Sequence, residues 1–360
     1  TGAVLKMYLE DYDLTQKELA KKIGTSQKFV TSLIAGNSKL TPEIALKLES
    51  VFEGTPASFW LNYEAKYREM LARYQNMYTV DLSTIKETAR RFHFDELFSN
   101  SSYSLEQQAY ELLQKFEIRS FDEFDSYLNR MKISIDFMED GGDPEAIAVW
   151  LEKCKDLVDI QNDLIEGEQF SKDSFRKEMN MFKYIALNEQ VEGITVQARK
   201  LLNELGVNLV TCQAVKNSKV RGALSYVNGA PSIFLSGRFR SHDHIWFALM
   251  HEIGHLIDNN SSQERTIVDL EDNEEKETMA NDFARDYFID KTEYDSFFDV
   301  VVPLNDEDAE KEIRRFAKSQ GVLPDMVAAR LCHDLKDYSR FRKSIIYYDE
   351  NMLREKRVIE

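Results

Sequence analysis

Apolar residues recur every three or four positions along most of the chain, the spacing of helices that bury one stripe. Near the N-terminus these stripes are short. Leu19, Ala20 and Ile23 share one face, Gly24 supplies a tight turn, and Val30, Leu33 and Ile34 form the next apolar face. Thr15 stands where an N-cap belongs, with Glu18 three positions on as in a capping box. Thr25 or Ser26 starts the second helix, and Thr41-Pro42 opens another with proline at its first position. On the second helix Gln27, Lys28, Thr31 and Ser32 are left on the outer face. Two short helices around a glycine turn, the second polar outside, meet the requirements of a helix-turn-helix; a small bundle with a merely solvated face meets them too.

Strand patterning is confined to one stretch. Val207–Cys212, Ala223–Val227 and Ser232–Leu235 are short and bounded by Asn217-Ser218 and Asn228-Gly229. Asn228-Gly229 predicts a type I′ hairpin, and with it a small, mostly antiparallel sheet packed on helices. Elsewhere glycine and proline are scarce, at 14 and 6 residues, so the chain reads as mainly α, and α+β overall. Four zones follow: a five-helix reader over 1–72, a helical linker or dimerisation region over 73–195, the sheet with two motif-bearing helices over 196–305, and a charged helical extension over 306–360.

The third zone carries the string FALMHEIGHLI. On a helix His251 and His255, at i and i+4, share a face about one turn apart, so two neutral imidazoles can meet one Zn²⁺. Glu252 projects beside them and can take a proton from an attacking water, then return it to a leaving amine. Phe247, Leu249, Met250, Ile253, Leu256 and Ile257 bury the rest of that helix, and Asp243 is placed to N-cap it. Two histidines satisfied in a helical core are the plain alternative. A third donor is needed. EEKETMANDFARDYF reads as a second helix with Met279, Phe283, Ala284 and Phe288 at apolar spacing, and Glu277 shares a face with Asn281. Glu277 can complete a two-histidine, one-carboxylate set with a fourth position open, the arrangement of catalytic zinc. Asn281 can orient a ligand from behind or position substrate. Glu274 and Glu275 compete for the third place, and most of the acidic run 269–275 reads as a solvated loop. His242 and His244 read as an exposed turn before the metal helix, Tyr226 as a packed strand aromatic, and Trp60, Trp150 and Trp246 as core anchors.

Composition changes the picture in three ways. At 43% apolar and 30% charged, the 360 residues suit two or three globular domains. No apolar run approaches bilayer length, and Thr1–Glu10 lacks the regions of a signal peptide, so no membrane partner is expected. The start at Thr1-Gly2 reads as a processed end. Cys154, Cys212 and Cys332 form no CxxC pair, which leaves neither a disulfide framework nor a thiolate zinc site, and fits buried thiols in a reducing cytoplasm. The net charge of −17 disfavours nucleic acid for the chain as a whole. Residues 1–70, however, hold nine Lys/Arg and nine Asp/Glu, so this segment is neutral and the deficit lies downstream. A neutral reader on an acidic body binds DNA weakly alone, and a homodimer on two half-sites is expected.

LTQKELAKKIGTSQKFVTSLIAGNSKL resembles the Xre/lambda-repressor class, and TPEIALKLESVFEGTPASFWLNYEAKY resembles HigA-type antitoxins. The likeness spans nearly all of residues 8–67. It implies a double-stranded DNA operator, with Gln16 and Gln27 at phosphates or base edges, Lys28, Thr31 and Ser32 in the major groove, and Asn37 and Lys39 near the backbone. SIFLSGRFRSHDHIWFALMHEIGHLI followed by ETMANDFA is similar to the ImmA/IrrE metallopeptidases, and IRRFAKSQGVLPDMVAARL resembles the helices after their site. This implies a zincin-like domain in which His251, His255 and Glu277 bind Zn²⁺ and Glu252 is the catalytic base. The departure is at Phe288-Ile289-Asp290, where the family often has a proline-terminated turn. Three functions are compatible with these features. One is a regulator with a zinc endopeptidase that cuts a repressor, a toxin or itself. The second is an autorepressor that neutralises a cognate toxin by binding, and the third is a general metallopeptidase with an accessory helical domain.

Overall fold

The computed structural model describes residues 1–349 apart from 99–102, 135, 140, 163–164, 166–168 and 259–270. The chain divides into two compact units, Thr1–Leu128 and Asn129–Glu360.

The first unit opens with five helices: α1 (Gly2–Asp11), α2 (Gln16–Lys22), α3 (Gln27–Ile34), α4 (Pro42–Val51) and α5 (Ala57–Met77). Their starts follow the cap chemistry. The Thr15 hydroxyl accepts from the Glu18 N–H while the Glu18 carboxylate accepts from the Thr15 N–H; Ser26 caps α3; Thr41 caps α4 ahead of Pro42. Helices this short are marginal alone in water, so burial decides. Leu5, Leu19, Val30, Leu33, Leu48, Phe52 and Trp60 are at most 1% exposed and form one core. Next come α6 (Ile85–Arg91), α7 (Phe94–Leu97), α8 (Leu105–Lys115) and α9 (Phe124–Ser134). They enclose an aromatic knot in which the Phe92 ring lies 4.9 Å from Phe124 and 6.0 Å from Phe116.

The second unit holds β1 (Asp136–Glu139), α10 (Pro144–Asn162), α11 (Lys172–Ile185), a π-helical turn (Gly193–Ala198) and α12 (Arg199–Glu204). It continues with β2 (Asn208–Thr211), β3 (Val220–Val227), β4 (Ala230–Leu235), α13 (His242–Asp258), α14 (Glu271–Phe288), α15 (Lys291–Val301), α16 (Asp306–Gln320) and α17 (Pro324–Leu335). The strands form one mixed sheet in the order β1-β3-β4-β2. β1 and β4 run antiparallel to β3, and β2 runs parallel to β4. Asn228 and Gly229, with φ of 53° and 84°, make the expected β3–β4 turn. β1 is an addition to the strands expected from sequence; it lies in the zone read as helical.

The two faces of the sheet are buried against different helices. Ile233 and Leu235 of β4 join the core built with Trp246, Leu249 and Ile253 of α13. Between them Phe234 turns the other way, its ring 6.3 Å from Trp150 of α10, whose indole N–H donates to the Cys212 carbonyl at 2.9 Å. A sheet covered on both sides needs near-continuous apolar strands, which is why alternation along β2 and β4 is faint. Among the described residues no helix is long and apolar enough to cross a membrane.

Candidate functional site

α13 lies between the sheet and α14 and is apolar on both sides for that reason. His251 and Glu252 are fully buried, and His255 is 6% exposed. The imidazole Nε2 atoms of His251 and His255 are 3.0 Å apart. α14 supplies the third group: Glu277 Oε2 is 3.3 Å from His251 Nε2, and Oε1 is 3.2 Å from His255 Nε2. Among the described residues these three form one group of donors close enough to hold an ion. Glu275 is exposed, and the side chain of Glu274 lies outside the described residues. Asn281, one turn beyond Glu277, accepts a hydrogen bond from His251 Nδ1 at 3.1 Å. Partial burial pushes the Glu277 carboxyl up, but hydrogen bonds and charge from His251 and His255 outweigh it and hold the group down at about 2.

Two glycines make this convergence possible. A Cβ on Gly254 would stand 3.2 Å from Ala280 Cα and 3.2 Å from Phe283 Cδ1. A glycine inside a helix costs about 1 kcal/mol against alanine, and here it lets the backbone of α14 approach. Gly222 of β3 faces α13 on the same side as Leu224, two residues on. A Cβ there would fall 2.6 Å from Glu252 Oε1, so the strand is bare where the Glu252 carboxylate rests.

α17 ties the other end of the same helix pair, where the ring of Trp246 lies 6.0 Å from Phe288. His242 Nδ1 and Asp325 Oδ2 are 2.8 Å apart, and both side chains are fully buried. Burial pushes the Asp325 carboxyl up, a rise partly countered by His242. Arg330 donates to the carbonyls of Arg285 and Ile289 at 3.3 and 3.2 Å, at the C-terminal end of α14, with its guanidinium 3.8 Å from the centroid of the Tyr294 ring. The exposed turn expected at His242 and His244 is therefore corrected: α13 begins at His242, which is buried, and Asp243 sits inside the first turn. His244 is half-exposed, 2.8 Å from Ser241 Oγ and 2.7 Å from Asp243 Oδ2. Tyr226, expected to be packed, is 47% exposed beside the hairpin turn. The acidic run expected as loop is helical from Glu271; residues 269 and 270 lie outside the described residues.

In the first unit Gln27, Lys28, Thr31, Asn37 and Lys39 are exposed on α3 and the turn after it, while Gln16 and Ser32 are half-buried. Thr31 Oγ1 donates to Gln16 Oε1 at 2.7 Å, linking the two helices of the motif. Ser32 Oγ is 2.7 Å from Ser38 Oγ, so it is turned toward the following loop.

Comparison with known proteins separates the same two regions. Residues 5–59 match the helix-turn-helix family model, and residues 202–332 match that of the IrrE N-terminal-like domain. The chain is 37% identical over 67 residues to virulence-associated protein A of Dichelobacter nodosus, which is 18% of this chain and 66% of that protein. It is 44% identical over 62 residues to an uncharacterized HTH-type transcriptional regulator, YbaQ, of Escherichia coli (strain K12), covering 17% of this chain and 54% of the relative. An uncharacterized HTH-type transcriptional regulator of Haemophilus influenzae is 26% identical over 84 residues, 23% of this chain and 78% of its own length. The chain thus spans between about half and two thirds of the first two relatives. No solved structure matches it.

Proposed function

Because the chain joins a helix-turn-helix domain to an IrrE N-terminal-like domain, we propose that it is a DNA-binding transcriptional regulator whose second domain is a zinc-dependent endopeptidase acting on a protein. The convergence of His251, His255 and Glu277 carries the zinc assignment: the two Nε2 atoms are 3.0 Å apart, and each is met by one of the two Glu277 oxygens, at 3.3 and 3.2 Å. Ligands about 2.0–2.1 Å from a tetrahedral centre stand roughly 3.3 Å from one another, so these residues fit the ion. By accepting a hydrogen bond from the His251 Nδ1–H, Asn281 leaves the Nε2 lone pair directed at the centre. Zinc bound there supplies Lewis acidity toward a scissile carbonyl and an attacking water. Glu252, resting against Gly222, takes a proton from that water and passes it to the leaving nitrogen.

The reader is proposed to bind its operator as a homodimer in the cytoplasm, since a neutral module releases few counterions and two modules double the contacts. Gln16, Gln27, Lys28, Asn37 and Lys39 are assigned to phosphates or base edges and Thr31 to sequence preference, while Ser32, bonded to Ser38, is assigned to holding the loop that carries Asn37 and Lys39. The TPEIALKLES run supports the narrower HigA-type kinship.

The test is metal analysis joined to proteolysis. Wild type is expected to hold stoichiometric zinc, and His255→Ala to lose it. Glu252→Gln should keep zinc and lose cleavage of a protein substrate by about 100- to 10,000-fold. Zinc retained by His255→Ala would refute the ligand assignment, and a zinc-loaded wild type that cuts no protein would refute the endopeptidase.

A further inference from the structure

We infer that the endopeptidase proposed above acts on its own chain, and that the bond it cuts is Met138–Glu139 in β1; the inference rests on that assignment. Extended peptides are recognised by adding a strand to a sheet edge, where main-chain hydrogen bonds fix their register. β1 holds that position in the fold. It is the outermost strand on the β3 side, and it runs antiparallel to β3. Asp136 pairs with Leu224, Phe137 with Ala223 and Met138 with Gly222. Gly222 is the residue pressed on the Glu252 carboxylate. The backbone of Met138 is therefore one strand away from the general base, and α13 packs against β1 as well as β3.

The ladder breaks at that point. After Met138↔Gly222 the next pair is Glu139↔Val220, so Arg221 is skipped and the register shifts between Met138 and Glu139. A bulge releases the local peptide group from the regular hydrogen-bond pattern and re-aims it. The remainder of β1 stays paired, so the segment is held while this one linkage is loosened.

The position in the chain gives the cut a consequence. β1 starts at Asp136, just after the boundary between the compact units at Leu128 and Asn129. Hydrolysis there would leave the helix-turn-helix match of residues 5–59 on one product and the IrrE-like match of residues 202–332 on the other. Water adds its hydroxyl to the Met138 carbonyl carbon, and the C–N bond to Glu139 breaks. Glu252 carries the proton from the water to the Glu139 nitrogen. One water is consumed, and no oxidant or reductant is needed.

The full chain, loaded with zinc, is incubated and followed by intact mass and N-terminal sequencing. Expected are a fragment ending at Met138 and one beginning at Glu139, formed at a rate independent of chain concentration. Glu252→Gln should stay whole, also when mixed with wild type. A readout free of catalysis uses the uncut Glu252→Gln chain: adding Met138→Pro should speed hydrogen exchange within Val220–Leu224 by about tenfold or more, because Met138 lies opposite Gly222, whose backbone groups face β1, and proline removes that ladder donor. Casein serves as a second substrate in the same assay. Casein cut while the chain stays whole overturns self-cleavage and leaves the peptidase standing; neither cut overturns both. Cleavage at another bond, cleavage of Glu252→Gln by wild type, or unchanged exchange in the proline variant each overturns the assignment of β1.

Discussion

Lys28, Thr31 and Asn37 stand exposed on and after a short helix, whereas His251, Glu252 and His255 are at most 6% exposed inside a helix packed on both sides. In the first region the groups that would meet a ligand are separate from those that hold the fold. Leu33 and Val30 stabilise α3 from its buried face, while Lys28 and Asn37 stand outside that core. In the second region the two sets interleave residue by residue: Ile253 packs in the core, Gly254 admits α14, and both sit between the histidines. Binding chemistry on a surface can be altered without loss of the fold. Chemistry built into a core cannot, and a change of packing there becomes a change of site.

The largest effect should come from Gly254→Val. Its added carbons meet the backbone of Ala280 and should cost about 1–3 kcal/mol or more of stability, as overpacking does. Thermal unfolding and a zinc titration on the same sample check whether stability and metal affinity fall together; affinity that survives the destabilisation would break the proposed coupling. Asn281→Ala removes the acceptor for His251 Nδ1 and should weaken zinc by about 10- to 100-fold, read by competition with a chelator. On the other side of the comparison, Lys28→Ala should reduce the salt slope of operator binding by about 1 and leave stability within about 0.5 kcal/mol. A drop in melting temperature with Lys28→Ala would show that the reader is not separable in this way. The smallest change is Thr31→Ala, which frees Gln16 Oε1 and should alter base preference by about 1 kcal/mol in mobility shifts against single-base operator variants.

What the sequence disclosed follows from how local each signal is. Caps at Thr15, Ser26 and Thr41, the His251/His255 spacing and the Asn228-Gly229 turn are written within a few residues, and each appears where expected. Glu277 was reachable because it shares a helix face with Asn281, and the geometry brings it to both imidazoles. The contacts without a local signal are long-range. The approach of Gly222 to Glu252 and the His242–Asp325 pair join residues far apart in sequence, with no periodicity to mark them. Asp136–Glu139 is too short for alternation to declare a strand, and the parallel pairing of β2 with β4 has no turn signature.

The α17 tie also bears on the order of events during synthesis. Asp325 and Arg330 brace the shared end of α13 and α14 from far along the chain, Asp325 at 83 residues past its partner His242 and Arg330 at 41 past Ile289. Chains emerge from the N-terminus, at roughly 5–20 residues per second, and domains fold as they become available. The helix-turn-helix has its whole core once Trp60 is out, whereas the two donor-bearing helices remain unbraced until nearly the last turn of α17 has been made. On the order of ten seconds or more separates the two moments at those rates. A nascent chain therefore has a complete helix-turn-helix core well before the helices that carry His251, His255 and Glu277 are braced.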